Sequence, residues 1–239
     1  MSGRSARAWG GFATRRGQPK LLGAGVLLEN LSVADDVSVS LLNPFLGRDA
    51  LIFPQGGGRV RAYLMYEATL PRLQGSDDIG RFVEECVKTG LAPETYAGAR
   101  PAGPLASFDM TEGWVEHPYR AGVALLGDAA GSSDPTWGQG LSLTLRDVRV
   151  LSDHLLETDD WERTGHGYAQ ARDAYFRTLI TVTDWLFDLL FARGADNDQR
   201  RERALPLLVS EPDRMPDHVF SGLDLPCDEM VRRRLFGEI

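Results

Sequence analysis

The stretch from Val123 to Asp147, V-A-L-L-G-D-A-A-G-S-S-D-P-T-W-G-Q-G-L-S-L-T-L-R-D, constrains the fold of this chain more than any other. The apolar run at Val123 to Leu126 predicts a short buried strand that delivers a carboxylate, Asp128, at its carboxyl end. A Gly/Ser/Pro loop follows, and a helix opens near Gly138 to Gly140. Ligands of open α/β layers bind at that end of the strands. Glycines at the helix start let backbone N–H groups approach a ligand closely, and such an end stabilises an anion by about 0.3–1 kcal/mol when exposed. Asp128 only accepts hydrogen bonds when ionised, so it suits hydroxyl donors such as those of a sugar and not a phosphate.

The 239 residues allow one large domain or two small ones, since single cores stop growing at roughly 250–300 residues. A formal net charge of −8 excludes a polyanion as the main partner, because phosphate binding needs Lys and Arg in excess; no nucleic-acid partner is expected. Cys86 and Cys227 are far apart, with no C-x-x-C, so neither a disulfide framework nor a thiolate metal site is predicted, and a cytoplasmic location fits. No apolar run reaches the roughly 20 residues of a membrane span; the longest, Leu179 to Ala192, is broken by Asp184 and Asp188.

The pattern predicts an α+β fold: a β-sheet region, then a strand and helix around the G-D stretch, then carboxy-terminal helices. Alternating or apolar runs predict strands at Leu21–Leu28, Val37–Leu42, Ala50–Phe53 and Arg59–Tyr66, the last two joined by Gly56-Gly57-Gly58. In the last run Val60, Ala62, Leu64 and Tyr66 share a packing face, and Arg61, Tyr63 and Met65 share the other, which can line a cavity. Asp77-Asp78 is expected to cap a helix through Lys88, with Gly90 as its stop. Shorter strands are expected at Leu105–Asp109 and Trp114–Glu116. In the helix after Gly140, Leu141, Leu145, Val148, Leu151 and Leu155 form an apolar stripe expected to pack. A longer helix is expected from Gly167 to Phe191, and from Asn197 on short helices interrupted by Pro206, Pro212, Pro216 and Pro226. His117, His154, His166 and His218 are scattered and read as surface or satisfied core residues rather than ligands or bases.

The 123–147 stretch resembles the G-D motif of class A flavin-dependent monooxygenases, the aromatic-hydroxylase family. Its pattern of strand, G-D-A-A, a proline and G-x-G at a helix start is met by Gly127, Asp128, Ala129, Ala130, Pro135, Gly138, Gln139 and Gly140, with Asp147 as the acidic residue further along. The resemblance implies FAD as cofactor, NAD(P)H as electron donor, Asp128 hydrogen-bonded to the ribityl chain, Pro135 beside the reactive edge of the isoalloxazine as the one residue at the chemistry, and N–H groups of Gly138 to Leu141 facing N1 and C2=O. Gly131 stands where the family often has His, and Asp134-Pro135 is similar to flavin-dependent halogenases and geranylgeranyl reductases, which share the fold. Ser2-Gly3-Arg4-Ser5-Ala6 with Arg7 resembles the tail of the family's second fingerprint, D-G-x-x-S-x-x-R, with Ser2 in place of Asp, and puts Gly3 and Arg4 near the pyrophosphate.

The G-x-G-x-x-G of such proteins is missing: Gly23-Ala24-Gly25 has Leu28 where the third glycine belongs and lies in a strand-like run. The expected organisation is a remnant of a Rossmann-like FAD-binding domain at 1–20, a β-rich substrate region at 21–120, the G-D strand and helix at 121–160 and a helical region at 161–239. The expected function is an FAD-dependent monooxygenase acting on a hydrophobic or aromatic small molecule, as a truncated or split chain, with Tyr63, Met65 and Phe108 as candidate substrate contacts. The other reading is a non-catalytic fragment or small-molecule-binding module that needs a partner chain carrying the missing half.

Overall fold

A computed structural model describes residues 3–219 and 222–239, the side chains of Arg4 and Val219 excepted. The elements run α1 (Gly3–Trp9), β1 (Arg15–Arg16), β2 (Leu21–Glu29), β3 (Val39–Asn43), β4 (Arg48–Gly56), β5 (Arg59–Glu67) and α2 (Ile79–Thr89). Short strands follow: β6 (Arg100–Pro101), β7 (Ala106–Asp109), β8 (Gly113–Trp114), β9 (Tyr119–Arg120), β10 (Val123–Ala124) and β11 (Gly131–Ser132). Helices α3 (Gly140–Glu157), α4 (Trp161–Leu190), α5 (Ala195–Ser210) and α6 (Glu229–Leu235) complete the chain. The fold is α+β, and the strand pairs among the described residues are antiparallel.

Two compact units form, both discontinuous: Pro19–Met110 with Leu186–Pro206, and Met1–Gln18 with Thr111–Trp185 and Leu207–Ile239. These units are set by contacts within the fold, whereas the division expected from sequence runs contiguously along the chain. Residues 111–120 leave the β-rich region because β8 pairs with β1 and β11. Residues 186–206 join the sheet unit instead of a separate helical region. There the fully buried Arg201 donates to the Leu189 and Ala192 carbonyls at the end of α4, pairs with Asp198 and lies over the Phe45 ring.

In the sheet unit the strand order is β3-β4-β5-β2-β6, with β7 also on β2. Alternation puts Leu22, Ala24, Val26 and Leu28 of β2 and Val60, Ala62, Leu64 and Tyr66 of β5 in one core with Phe82 and Cys86 of α2. Gly23 and Gly25 fall on the opposite face, where Cβ atoms would sit 2.3 Å from the Phe108 ring and 2.6 Å from the Tyr63 ring. That packing explains the Gly-Ala-Gly run. Helix α2 ends at Gly90 as expected, but Asp78 makes no capping bond; its carboxylate accepts from the Gln74 N–H instead.

In the other unit β1, β8 and β11 form a small sheet and β9 pairs with β10. The expected strand at 123–126 is two residues long, because the Leu125 carbonyl accepts from Tyr168 Oη at 2.6 Å and its N–H donates to the Pro118 carbonyl, replacing a ladder. Helix α4 begins six residues before the expected Gly167. Asp160 Oδ1 accepts from the Arg163 N–H at its start, and the Tyr119 ring packs where Gly165 lacks a Cβ, so these glycines lie inside the helix. Helix α5 likewise runs through Pro206 instead of stopping there.

The stripe expected to pack on α3 does not pack: Leu141 is 72% and Leu145 62% exposed, and Val148 and Leu155 are exposed too. Helix α3 buries Leu143 and Asp147 against Tyr175, Phe176 and Leu179 of α4 and against Leu223. Among the described residues no helix is long and apolar enough to cross a membrane.

Candidate functional site: the Gly127–Asp128 turn

Gly127 to Ala129 form one 3₁₀ turn, the loop then pairs at β11, and a second 3₁₀ turn at Pro135–Trp137 leads into α3. The sequence folds this way for local reasons. Gly127 has φ +54, a left-handed value that a side chain disfavours, and a Cβ there would lie 2.7 Å from Thr144 Oγ1. Thr144 in turn donates to the Gly140 carbonyl, so one residue of α3 touches both the G-D turn and the helix start. Asp134 accepts from the Thr136 N–H and hydroxyl and shapes the second turn, and Gly138 closes it at φ +65.

Beneath the turn lies a buried polar set. Asp147 is fully buried and accepts from the Gly127 N–H at 2.8 Å and from the Tyr175 hydroxyl. Arg172, 1% exposed, lies 4.0 Å from the same carboxylate with its guanidinium over the Phe176 ring at 4.1 Å. Burial is the main cause that pushes the Asp147 carboxyl above its ordinary value, against the hydrogen bonds from Tyr175 and Gly127 and the charge of Arg172. Burial also pushes the Tyr175 hydroxyl up, with the Asp147 carboxylate next in effect.

Asp128, Pro135, Gly138, Gly140 and Leu141 are exposed, whereas Gly127 and Gln139 are buried. Open space surrounds the positions where Gly138 and Gly140 would carry Cβ atoms. The first N–H groups of α3 have no acceptor within the helix. An exposed carboxylate and an uncrowded helix start, held together through Thr144, offer acceptors for hydroxyls and donors for carbonyl or anionic edges. The amino-terminal segment reaches the same place: Arg7 Nη1 of α1 donates to the Asp128 carbonyl at 2.9 Å across 121 positions of sequence. Gly3 and Arg4 lie in the first turn of α1, and Ser2 lies outside the described residues.

The candidate substrate contacts occupy the sheet unit. Tyr63 and Phe108 pack edge to face at 6.3 Å, and Phe53, not singled out from sequence, extends the row at 6.2 Å from Tyr63. Met65 is buried. Sequence reasoning also missed Arg172 and Tyr175. The signal was present, since an arginine within the apolar spacing of Tyr168, Ala171 and Tyr175 is a charge on a buried face. It missed a pairing of histidines as well: His117 Nε2 and His166 Nδ1 are 2.7 Å apart.

No protein-family profile and no curated protein sequence matches the chain. Solved structures do. HpxO of Klebsiella pneumoniae, complexed with FAD and uric acid, aligns with a TM-score of 0.68 at 19% identity over 91% of this chain and 57% of that one. The flavin-dependent brominase Bmp2 aligns at 0.65 and 13% over 99% and 56%. The chain shares the fold of this FAD-complexed protein and this flavin-dependent brominase. The anhydrotetracycline hydroxylase OxyS of Streptomyces rimosus has it too, at 0.64 and 19% over 94% of this chain and 45% of OxyS. The chain thus spans about half the length of these flavin-fold structures.

Proposed function

We propose that the Gly127–Asp128 turn and the start of α3 hold FAD, and that the chain is the flavin- and substrate-contacting part of a monooxygenase acting on a hydrophobic or aromatic small molecule. One observation carries this reading. Two segments singled out separately by their resemblance, residues 3–7 and 127–141, meet at the Arg7–Asp128 contact.

In this reading Asp128 accepts from the ribityl hydroxyls. The N–H groups from Gly138 to Leu141 donate to the pyrimidine edge of the isoalloxazine, and the helix start favours the negative charge that collects there on reduction. Gly3 and Arg4 serve the pyrophosphate. Pro135 stands at the reactive edge, and Tyr63 and Phe108, with Met65, contact the substrate. When bound, the flavin takes electrons from NAD(P)H and activates dioxygen, a chemistry that belongs to the cofactor. The residues of this chain orient it. A reducing cytoplasm suits both free cysteines, of which buried Cys86 has its thiol pushed up to about 12, chiefly by burial. Fluorescence titration of FAD with the purified chain tests the reading. Saturable quenching is expected, and emission that stays linear in added FAD rejects it.

A second reading, a module that works only beside a partner chain supplying the dinucleotide-binding half, is favoured by the exposed stripe on α3. Large contiguous apolar surface in a soluble protein marks an interaction site. Val148→Glu and Leu155→Lys should leave stability within about 0.5 kcal/mol, because both side chains are exposed. The same pair should reduce binding of an apolar dye by more than about half. A loss of stability well above that, or unchanged dye binding, argues against an open docking face.

A further inference from the structure

A cavity of about 550 Å³, within the range for small-molecule sites, opens between residues 114–117 and helix α4. Trp114, Phe176 and Ile180 form its apolar side, and Glu116, Asp173 and Arg177 bring its charges. All of its lining lies in one unit of the chain, and none of it belongs to the flavin or substrate contacts proposed above. Trp114 and Phe176 pack with ring centres 6.1 Å apart and planes tilted by 45°, a surface suited to an apolar body.

Asp173 and Arg177 stand one turn apart on α4, with the acid on the amino-terminal side. That is the spacing and order at which opposite charges ordinarily pair on a helix. Here they stay apart: among the described residues neither side chain is in an ion pair. The Asp173 carboxylate is fixed instead by the His117 N–H, which donates at 3.1 Å to Oδ1 and at 3.0 Å to Oδ2. His117 makes this contact from a left-handed backbone at φ +51, a conformation that side chains disfavour, and its ring is anchored to His166 of α4.

The remaining charge of the lining is already balanced, since Glu116 pairs with Arg15 at 2.7 Å. The cavity therefore presents one carboxylate held in place and one guanidinium with no partner among the described residues, and these two charges cancel. An ionised carboxylate has about four acceptor positions, so a single N–H leaves Asp173 room for further donors. An acid alone would meet Arg177 and be repelled by Asp173; an amine alone would meet the reverse. A zwitterion of no net charge answers both groups at once.

We propose that this cavity binds a free amino acid with an apolar or aromatic side chain. Its carboxylate faces Arg177, its ammonium group faces Asp173, and its side chain lies on Trp114 and Ile180.

NMR titration of the full chain at pH 7 with L-phenylalanine, 3-phenylpropionate and phenethylamine, with the Trp114 indole N–H as reporter, tests this. A dissociation constant on the order of 1 mM is expected for L-phenylalanine. 3-Phenylpropionate lacks the ammonium group and phenethylamine lacks the carboxylate; each should bind about tenfold more weakly. Arg177→Gln should weaken L-phenylalanine and 3-phenylpropionate about tenfold and leave phenethylamine unchanged. Asp173→Asn should weaken L-phenylalanine and phenethylamine by the same factor and leave 3-phenylpropionate no weaker. Arg177 is exposed, and an asparagine at 173 keeps an acceptor for the His117 N–H, so both variants should fold. Three probes of equal affinity, variants that weaken all three probes alike, or a Trp114 resonance that does not shift saturably overturn the proposal.

Discussion

An Asp147→Ala chain is expected to lose about 3–5 kcal/mol of unfolding free energy, read as a lower urea midpoint at an unchanged slope. The substitution strips Arg172, 1% exposed, of the one carboxylate within 4.0 Å among the described residues and leaves a buried guanidinium without compensation. It also removes the acceptor of the Gly127 N–H and of the Tyr175 hydroxyl. The ionised form of Asp147 is itself disfavoured by burial, so breaking the pair should cost more than deleting it. Asp147→Leu combined with Arg172→Met is therefore expected to be less destabilising than Asp147→Ala alone. A double variant weaker than the single one would mean that the pair is not the dominant contribution.

Gly131→Ala should destabilise by about 1–3 kcal/mol through overpacking. A Cβ at this position meets Arg172 Nη2 at 2.8 Å, Trp114 Cβ at 2.9 Å and the Gly113 carbonyl oxygen at 3.1 Å. Two of these atoms belong to β8, which pairs with both β1 and β11, and the third to a buried side chain, so none yields easily. Thermal unfolding measures the effect, and a midpoint unchanged from the parent would show that the β11 segment relaxes freely. The same geometry accounts for the departure from the resembled motif: where a histidine often follows G-D-A-A, the guanidinium of Arg172 fills the space here.

How much was legible in sequence depends on whether the cause was local. The period-2 runs of β2 and β5 were readable because one face packs on one core, and the left-handed glycines and Asp134-Pro135 marked the loop before α3. The α3 stripe misled because periodicity says that a face is apolar, not that the described chain covers it. The start of α4 was misplaced because Gly165 and Gly167 look like breakers until the Tyr119 ring is seen against Gly165. The strand at 123–126 was overlong for a similar reason, since Tyr168, 43 residues away, takes the carbonyl that a ladder would use. At the site, the residues exposed to a ligand were recognisable by type and spacing. Those that hold them from below, Arg172, Tyr175 and Thr144, act through contacts between helices that no short motif records.

The most direct measurement compares FAD and riboflavin binding to the parent chain and to Asp128→Ala by quenching of flavin fluorescence. The Asp128 carboxylate is exposed, so the variant should fold like the parent. With Asp128 on the ribityl hydroxyls, both ligands should bind the parent saturably, and the variant should bind each about 10- to 100-fold more weakly, the loss of a hydrogen bond to a charged group. Quenching that is identical for parent and variant would contradict flavin binding at this turn.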